Sequence, residues 1–188
     1  LFLAPLGATT VAAHQIVLNL VSLFFMLPLS LGIAITLRVS FLVGASDYSE
    51  ARLLARSALL LALGVGCTNA SLLFFGRDWF ASLYTSDLAV QKIAADLFLL
   101  GALFQIADVI QVTMINVQRG YKDTKIPMLI MLLAFWGICL PLGYALTFKD
   151  WLTAEPMGAA GFWTALIVGL ICAAILLTHR VFYFVPQK

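Results

Sequence analysis

Long apolar runs alternate along this chain with short polar breaks. Five runs are long enough to cross a bilayer, which takes about 20 residues: positions 11–37, 53–75, 90–116, 126–146 and 159–178. Backbone polar groups cannot be left open in hydrocarbon, so such runs form helices or a closed barrel. Barrel strands are about ten residues long and alternate strictly. These runs are longer and do not alternate, which predicts helices. Residues 1–10 read as the tail of an earlier apolar helix running into a turn at Pro5 and Gly7. Pro28, Gly32, Pro141 and Gly143 fall inside the runs, where membrane helices accept them as bends or close contacts. Pro141-Leu142-Gly143 predicts a bent fourth helix. Gly158-Ala159-Ala160-Gly161 predicts a small-residue contact surface at the start of the fifth.

Composition sharpens this into an all-α polytopic membrane protein. The chain is 63% hydrophobic and only 11% charged, with a mean hydropathy of +1.04. Soluble domains carry roughly 25% charged residues. The net charge of +2 matters less than where the charges lie. Eight of the 11 Lys and Arg residues share one set of helix ends: Arg38, Arg52, Arg56, Arg119, Lys122, Lys125, Arg180 and Lys188. Arg77, Lys92 and Lys149 lie at the other, with Asp78, Asp87, Asp150, Glu155, Trp79 and Trp151. Basic loops stay inside, so the first set and the C-terminus are expected in the cytoplasm. Ser86-Asp87 suits an N-cap followed by an acid in the first turn of the third helix.

The third run is the most polar. It carries Gln105, Asp108 and Gln111, spaced by three, within an arc of about 120° on one side of a helix. Asp108 is near mid-depth, where an acid costs about 2.5–3.5 kcal/mol on insertion scales. The usual reason for such a residue is an ion, proton or substrate path. The competing reason is a structural hydrogen bond to a neighbouring helix. The first run has its own stripe, Gln15, Asn19, Ser22, Met26 and Ser30, on one side. It fits a translocation path and interhelical hydrogen bonding equally. Asp96 follows Lys92 by four residues and reads as an ordinary helix pair. His14 reads as a hydrogen-bonding interface residue and His179, beside Arg180, as an anchor. Cys67, Cys139 and Cys172 fall in three different runs and form no disulfide or metal pattern. Zinc-protease, serine-hydrolase and phosphate-loop motifs are missing, and no basic-aromatic surface points to nucleic acid.

Several stretches in a fixed order resemble the multidrug and toxic compound extrusion (MATE) transporters, most closely the NorM-type branch. They are Val11-Ala12-Ala13-His14-Gln15 with Asn19, Phe25-Met26-Leu27-Pro28 with Gly32 and Arg38-Val39, and Leu83-Tyr84-Thr85-Ser86-Asp87. They continue with Phe104-Gln105 and Asp108, Arg119-Gly120-Tyr121-Lys122-Asp123-Thr124 with Pro127, Pro141-Leu142-Gly143-Tyr144, and Gly158 to Trp163. The resemblance implies a twelve-helix antiporter of two six-helix lobes in the bacterial inner membrane. Residues 1–188 are then the C-terminal lobe from the end of helix seven through helices eight to twelve. It implies export of cationic, often aromatic drugs, driven by Na⁺ or H⁺, with no cofactor. Asp108 matches the family's cation-site acid and is a Na⁺ ligand if the coupling ion is sodium. Gln15, Asn19, Gln105 and Gln111 are the candidate path lining. The implied partners are the bilayer, the drugs and the N-terminal lobe. Phe104 stands where this branch often has Tyr, Ser40 where Gly usually follows Arg-Val, and Asn116-Val117-Gln118 where small residues are common. Two alternatives stay open: a lipid-linked oligosaccharide flippase of the same superfamily, and a non-transporting membrane scaffold. A flippase path needs intramembrane cations for pyrophosphate, and the runs carry none away from their ends, where Arg56 and Lys92 lie.

Overall fold

A computed structural model describes residues 4–149 and 157–183. A short 3₁₀ turn, Ala4–Leu6, leads into α1 (Ala8–Gly44), α2 (Tyr48–Tyr84) and α3 (Leu88–Gly120). The fourth span, Lys125–Phe148, is α4 (Lys125–Leu132), a π-helical stretch (Leu133–Cys139) and α5 (Leu140–Phe148). The last helix is α6 (Ala159–Tyr183). Five membrane-length apolar helices are therefore present among the described residues, as the pattern of runs predicts. Asp150, Trp151, Glu155 and Lys188 lie outside the described residues.

The first three helices overrun their apolar runs. At 1.5 Å per residue, 37 residues reach about 55 Å, well past a hydrocarbon core of about 30 Å. A run marks the lipid-facing part only, whereas a helix continues until something caps it. Asp47 caps α2, its carboxylate accepting from the Glu50 N–H at 3.1 Å. Asp87 caps α3, accepting from Ala89 and Val90 at 2.8 and 3.4 Å. The cap is thus Asp87 itself rather than Ser86, because Asp87 keeps an extended backbone and the helix starts at Leu88. Residues 8–10 belong to α1 and not to the tail of an earlier helix; the break is Gly7, whose φ of +94° favours glycine. Lys92 and Asp96 form no ion pair: both are exposed, where such a pair gains little, and the ion pairs among the described residues are Arg77–Asp78 and Arg180–Asp123. The three cysteines are free thiols.

The bend expected at Pro141 takes a specific form. Proline has no N–H, so the carbonyl four residues back loses its helical donor. Just before it, the Leu140 N–H donates to Phe135, five residues back, in π register.

The helix α3 is the hub and packs along α1, α2 and α6, while α6 also carries the π stretch and α5. Between helices in lipid there is no hydrophobic driving force, so association depends on close backbone approach at small residues. On α2, Ala55, Ala58, Ala62 and Gly66 are buried. A Cβ on Gly66 would come within 3.2 Å of the Ile106 backbone. On α6, Gly161, Ala165, Gly169 and Ala173 recur every fourth residue and are all buried. Gly161 lies under Leu146 of α5, and Gly169 under Cys139 and the Ala134 carbonyl of the π stretch. The small-residue surface expected at 158–161 therefore runs three turns further. Gly158 itself sits in the turn before α6 with φ +59°.

Two apolar clusters result. One gathers Ala13, Val17, Leu73, Phe98 and Trp163 toward the end marked by Asp87. The other gathers Val39, Ala55, Met114 and Leu177 toward the basic end. Asp108 belongs to neither and lies on α3 between them.

Gly161→Val places branched carbons where a Cβ would already meet the Leu146 carbonyl at 2.7 Å. It is expected to cost about 1–3 kcal/mol and to lower the thermal midpoint of the purified full-length protein in detergent. Gly64→Ala, in open space on the same bundle, is expected to leave or raise that midpoint. Equal behaviour of the two variants refutes the seam.

Candidate functional site

The polar side of α3 is built from three residues reaching in different directions. Gln105 is fully buried, and its Nε2 donates to the Val21 carbonyl of α1 at 3.2 Å. Gln111 is buried, and its Nε2 donates to the Met131 sulfur of α4 at 3.4 Å. One glutamine therefore fastens to each neighbour, and Asp108 lies between them. Asp108 is 9% exposed. It has no hydrogen-bond or ion-pair partner among the described residues. The Oε1 of Gln105 is likewise unpartnered. A carboxyl and an amide oxygen one turn apart on one helix side thus have unused bonding capacity. The Gln105 oxygen is one of four fully buried side-chain oxygens without a partner among the described residues, with those of Thr113, Gln118 and Thr147, against the rule that buried polar atoms are satisfied.

Aromatic rings close the site on the side of the Asp87 end. Phe104, one turn from Asp108, meets the Trp163 ring edge-on at 5.5 Å between centroids. Trp163 is fully buried and donates through Nε1 to His14 Nδ1 at 3.1 Å, tying α6 to α1. Phe162 adds an edge contact to the His14 ring at 6.1 Å. His14 is thus a hydrogen-bonded interface residue, as its position suggests. Phe104, without a hydroxyl, contributes a packing surface.

Toward the basic end the closure is polar. The Thr36 hydroxyl lies 3.0 Å from both the Asn116 carbonyl and its Oδ1. Asn116 Nδ2 donates to the Val112 carbonyl at 2.8 Å. Gly32 makes room for this amide, since a Cβ there would fall 2.5 Å from Asn116 Nδ2. Gln118 Nε2 reaches the Leu177 carbonyl of α6 at 3.3 Å. The residues replacing small ones at 116–118 therefore clamp α3 to α1 and α6. Reading the sequence missed this clamp. Its signal was Gly32 and Thr36, one turn apart on one face.

The other candidates lie on a different surface. Gln15, Asn19, Ser22, Met26 and Ser30 are all exposed on α1. Gln15, Asn19, Ser22 and Tyr84 line an open depression of about 500 Å³, in which the Tyr84 hydroxyl donates to Asn19 Oδ1 at 2.8 Å. The α1 stripe and the Gln105–Asp108–Gln111 side of α3 are thus two separate polar surfaces.

The model of the MatE family matches residues 1–145. The chain belongs to the MatE family. This MatE chain is 46% identical over 180 residues to the multidrug resistance protein PmpM of Pseudomonas aeruginosa, covering 96% of the chain and 38% of that protein. It is 45% identical over 188 residues to the probable multidrug resistance protein NorM of Shewanella oneidensis, covering 100% and 41%. It spans about two fifths of the length of these relatives. The crystal structure of the eukaryotic MATE transporter AtDTX14 superposes with a TM-score of 0.85 at 24% identity, over 93% of this chain and 38% of that one. The fold is therefore that of part of a MATE transporter.

The clamp makes a double-mutant prediction. Gly32→Ala alone is expected to destabilise the MatE protein, because its methyl occupies the Asn116 amide site. Asn116→Ala in the same chain is expected to recover most of that loss in thermal unfolding, giving a coupling of about 0.5–3 kcal/mol. Additive losses refute the contact.

Proposed function

We propose that this chain forms most of the C-terminal lobe of a cation-coupled multidrug antiporter in the bacterial inner membrane, with its C-terminus cytoplasmic. In this reading it comprises the end of helix seven and helices eight to twelve of a twelve-helix transporter. The single observation that carries the proposal is Asp108: buried on the central helix, well inside its length, with no partner among the described residues. A structural acid needs a hydrogen-bonding neighbour, and the described helices offer it none. A binding site for Na⁺ or H⁺ needs that free capacity.

The relatives' names supply the cargo class, since several are multidrug resistance proteins. Gln105 and Gln111 hold Asp108 between α1 and α4, so occupancy of the acid is sensed on two helices at once. The exposed α1 stripe of Gln15, Asn19, Ser22 and Ser30 is too polar for lipid and suits a drug path facing the opposite lobe. Coupling requires cation and drug to favour different access states.

The deciding measurement is ethidium efflux from cells carrying the full-length transporter, comparing wild type with Asp108→Asn at matched membrane expression. Efflux is expected to fall to the level of cells without the transporter. Varying Na⁺ at fixed pH then separates sodium from proton coupling. Normal efflux by the Asn variant returns Asp108 to a structural role.

A further inference from the structure

The back of α3 carries a second groove, on the side opposite Asp108. It is lined by Leu103, Ile106 and Ile110 of α3, Leu59 and Leu63 of α2, and Ile167 and Ile171 of α6, and is an open depression of about 660 Å³. Its surface is almost wholly apolar until the basic end, where Thr178 and His179 complete the wall. From Ile167 to His179 the groove follows α6 for about 18 Å, close to one leaflet of a hydrocarbon core of about 30 Å. A groove of that length and apolar lining suits an extended hydrocarbon chain.

Its mouth has charge chemistry to match. Arg56 precedes Leu63 by seven residues, which puts it within about 20° of the same face of α2 and one turn closer to the basic end than Leu59. Arg56 is exposed and has no hydrogen bond or ion pair among the described residues. Two nearby arginines are committed elsewhere: Arg52 donates to the Phe182 carbonyl at 2.9 Å, and Arg180 pairs with Asp123 at 2.7 Å. The Thr178 hydroxyl is also without a partner among the described residues. An unpaired guanidinium on the groove-lining face of α2 and an unpaired hydroxyl in the wall thus mark the basic end of the groove.

We propose that this groove binds an anionic phospholipid from the leaflet on the basic side, one acyl chain lying along α3 and the headgroup phosphate held by Arg56 and Thr178. The site is independent of Asp108 and of the drug path. A bound chain would lie between α2 and α6 along α3, below the Arg52–Phe182 contact that joins the two helices at the basic end.

The test is native mass spectrometry of the full-length transporter in detergent, titrated with phosphatidylglycerol and with phosphatidylcholine of identical chains. Wild type is expected to take up its first phosphatidylglycerol roughly fivefold more readily, the preference that one interfacial arginine confers. Arg56→Gln is expected to erase the preference while leaving binding of both lipids, and Arg77→Gln at the opposite end to leave it intact. Ile171→Trp, at an exposed groove position, is expected to remove the first bound lipid of either kind. Equal uptake of the two lipids by wild type overturns the proposal, as does a preference surviving Arg56→Gln. Uptake undiminished in Ile171→Trp, or no lipid adduct on wild type, overturns it too.

Discussion

Helices in lipid are held by contact rather than by expulsion of water, and in this chain that contact depends on how closely backbones approach α3 and α6. The ladder Gly161, Ala165, Gly169 and Ala173 brings the fourth span onto α6, and Ala55 through Gly66 bring α2 onto α3. Dispersion forces fall off steeply with separation, so a single methyl in either seam opens many pairs at once. Everything polar in the helix bundle presumes that these seams are shut.

With the seams closed, α3 is surrounded on three sides, and the remaining side is where polarity is tolerated. Gln105 and Gln111 satisfy their amide donors on α1 and α4, and Asn116, Thr36 and Gln118 do the same further along. Phe104, Trp163 and His14 cap the opposite direction. The result is a hydrophobic–polar–hydrophobic stack along one helix, with Asp108 in the polar layer. Its lack of a partner is shared on α3 by the Gln105 and Gln118 side-chain oxygens and the Thr113 hydroxyl, but Asp108 is the one acid among them.

The spans, their helical nature and the unusual character of α3 were legible in the runs, because hydrocarbon enforces length and backbone satisfaction independently of partners. The Asp87 cap and the seam at Gly161 were legible nearly to the residue. The ends of α1 and α2 were not, because a hydropathy run stops at the lipid boundary and a helix does not. Nor was the division of the polar residues into two surfaces. Periodicity gives the angle of Gln15 and Gln105 on their own helices, but not how those helices are turned toward each other. The Gly32–Asn116 fit was hidden for the same reason: it joins residues far apart in sequence through a shape.

The π stretch before Pro141 has a geometric consequence for the fourth span. A wider turn shifts the angular phase of everything after it, by about 100° for each residue added relative to α register. The side of α5 that meets Gly161 is therefore set by the number of residues in Leu133–Cys139 as much as by its own sequence. The two halves of this span behave as separately phased rods joined by a torsional coupler. Tightening that coupler into α register would roll Leu146 off the glycine while leaving α4 against α6.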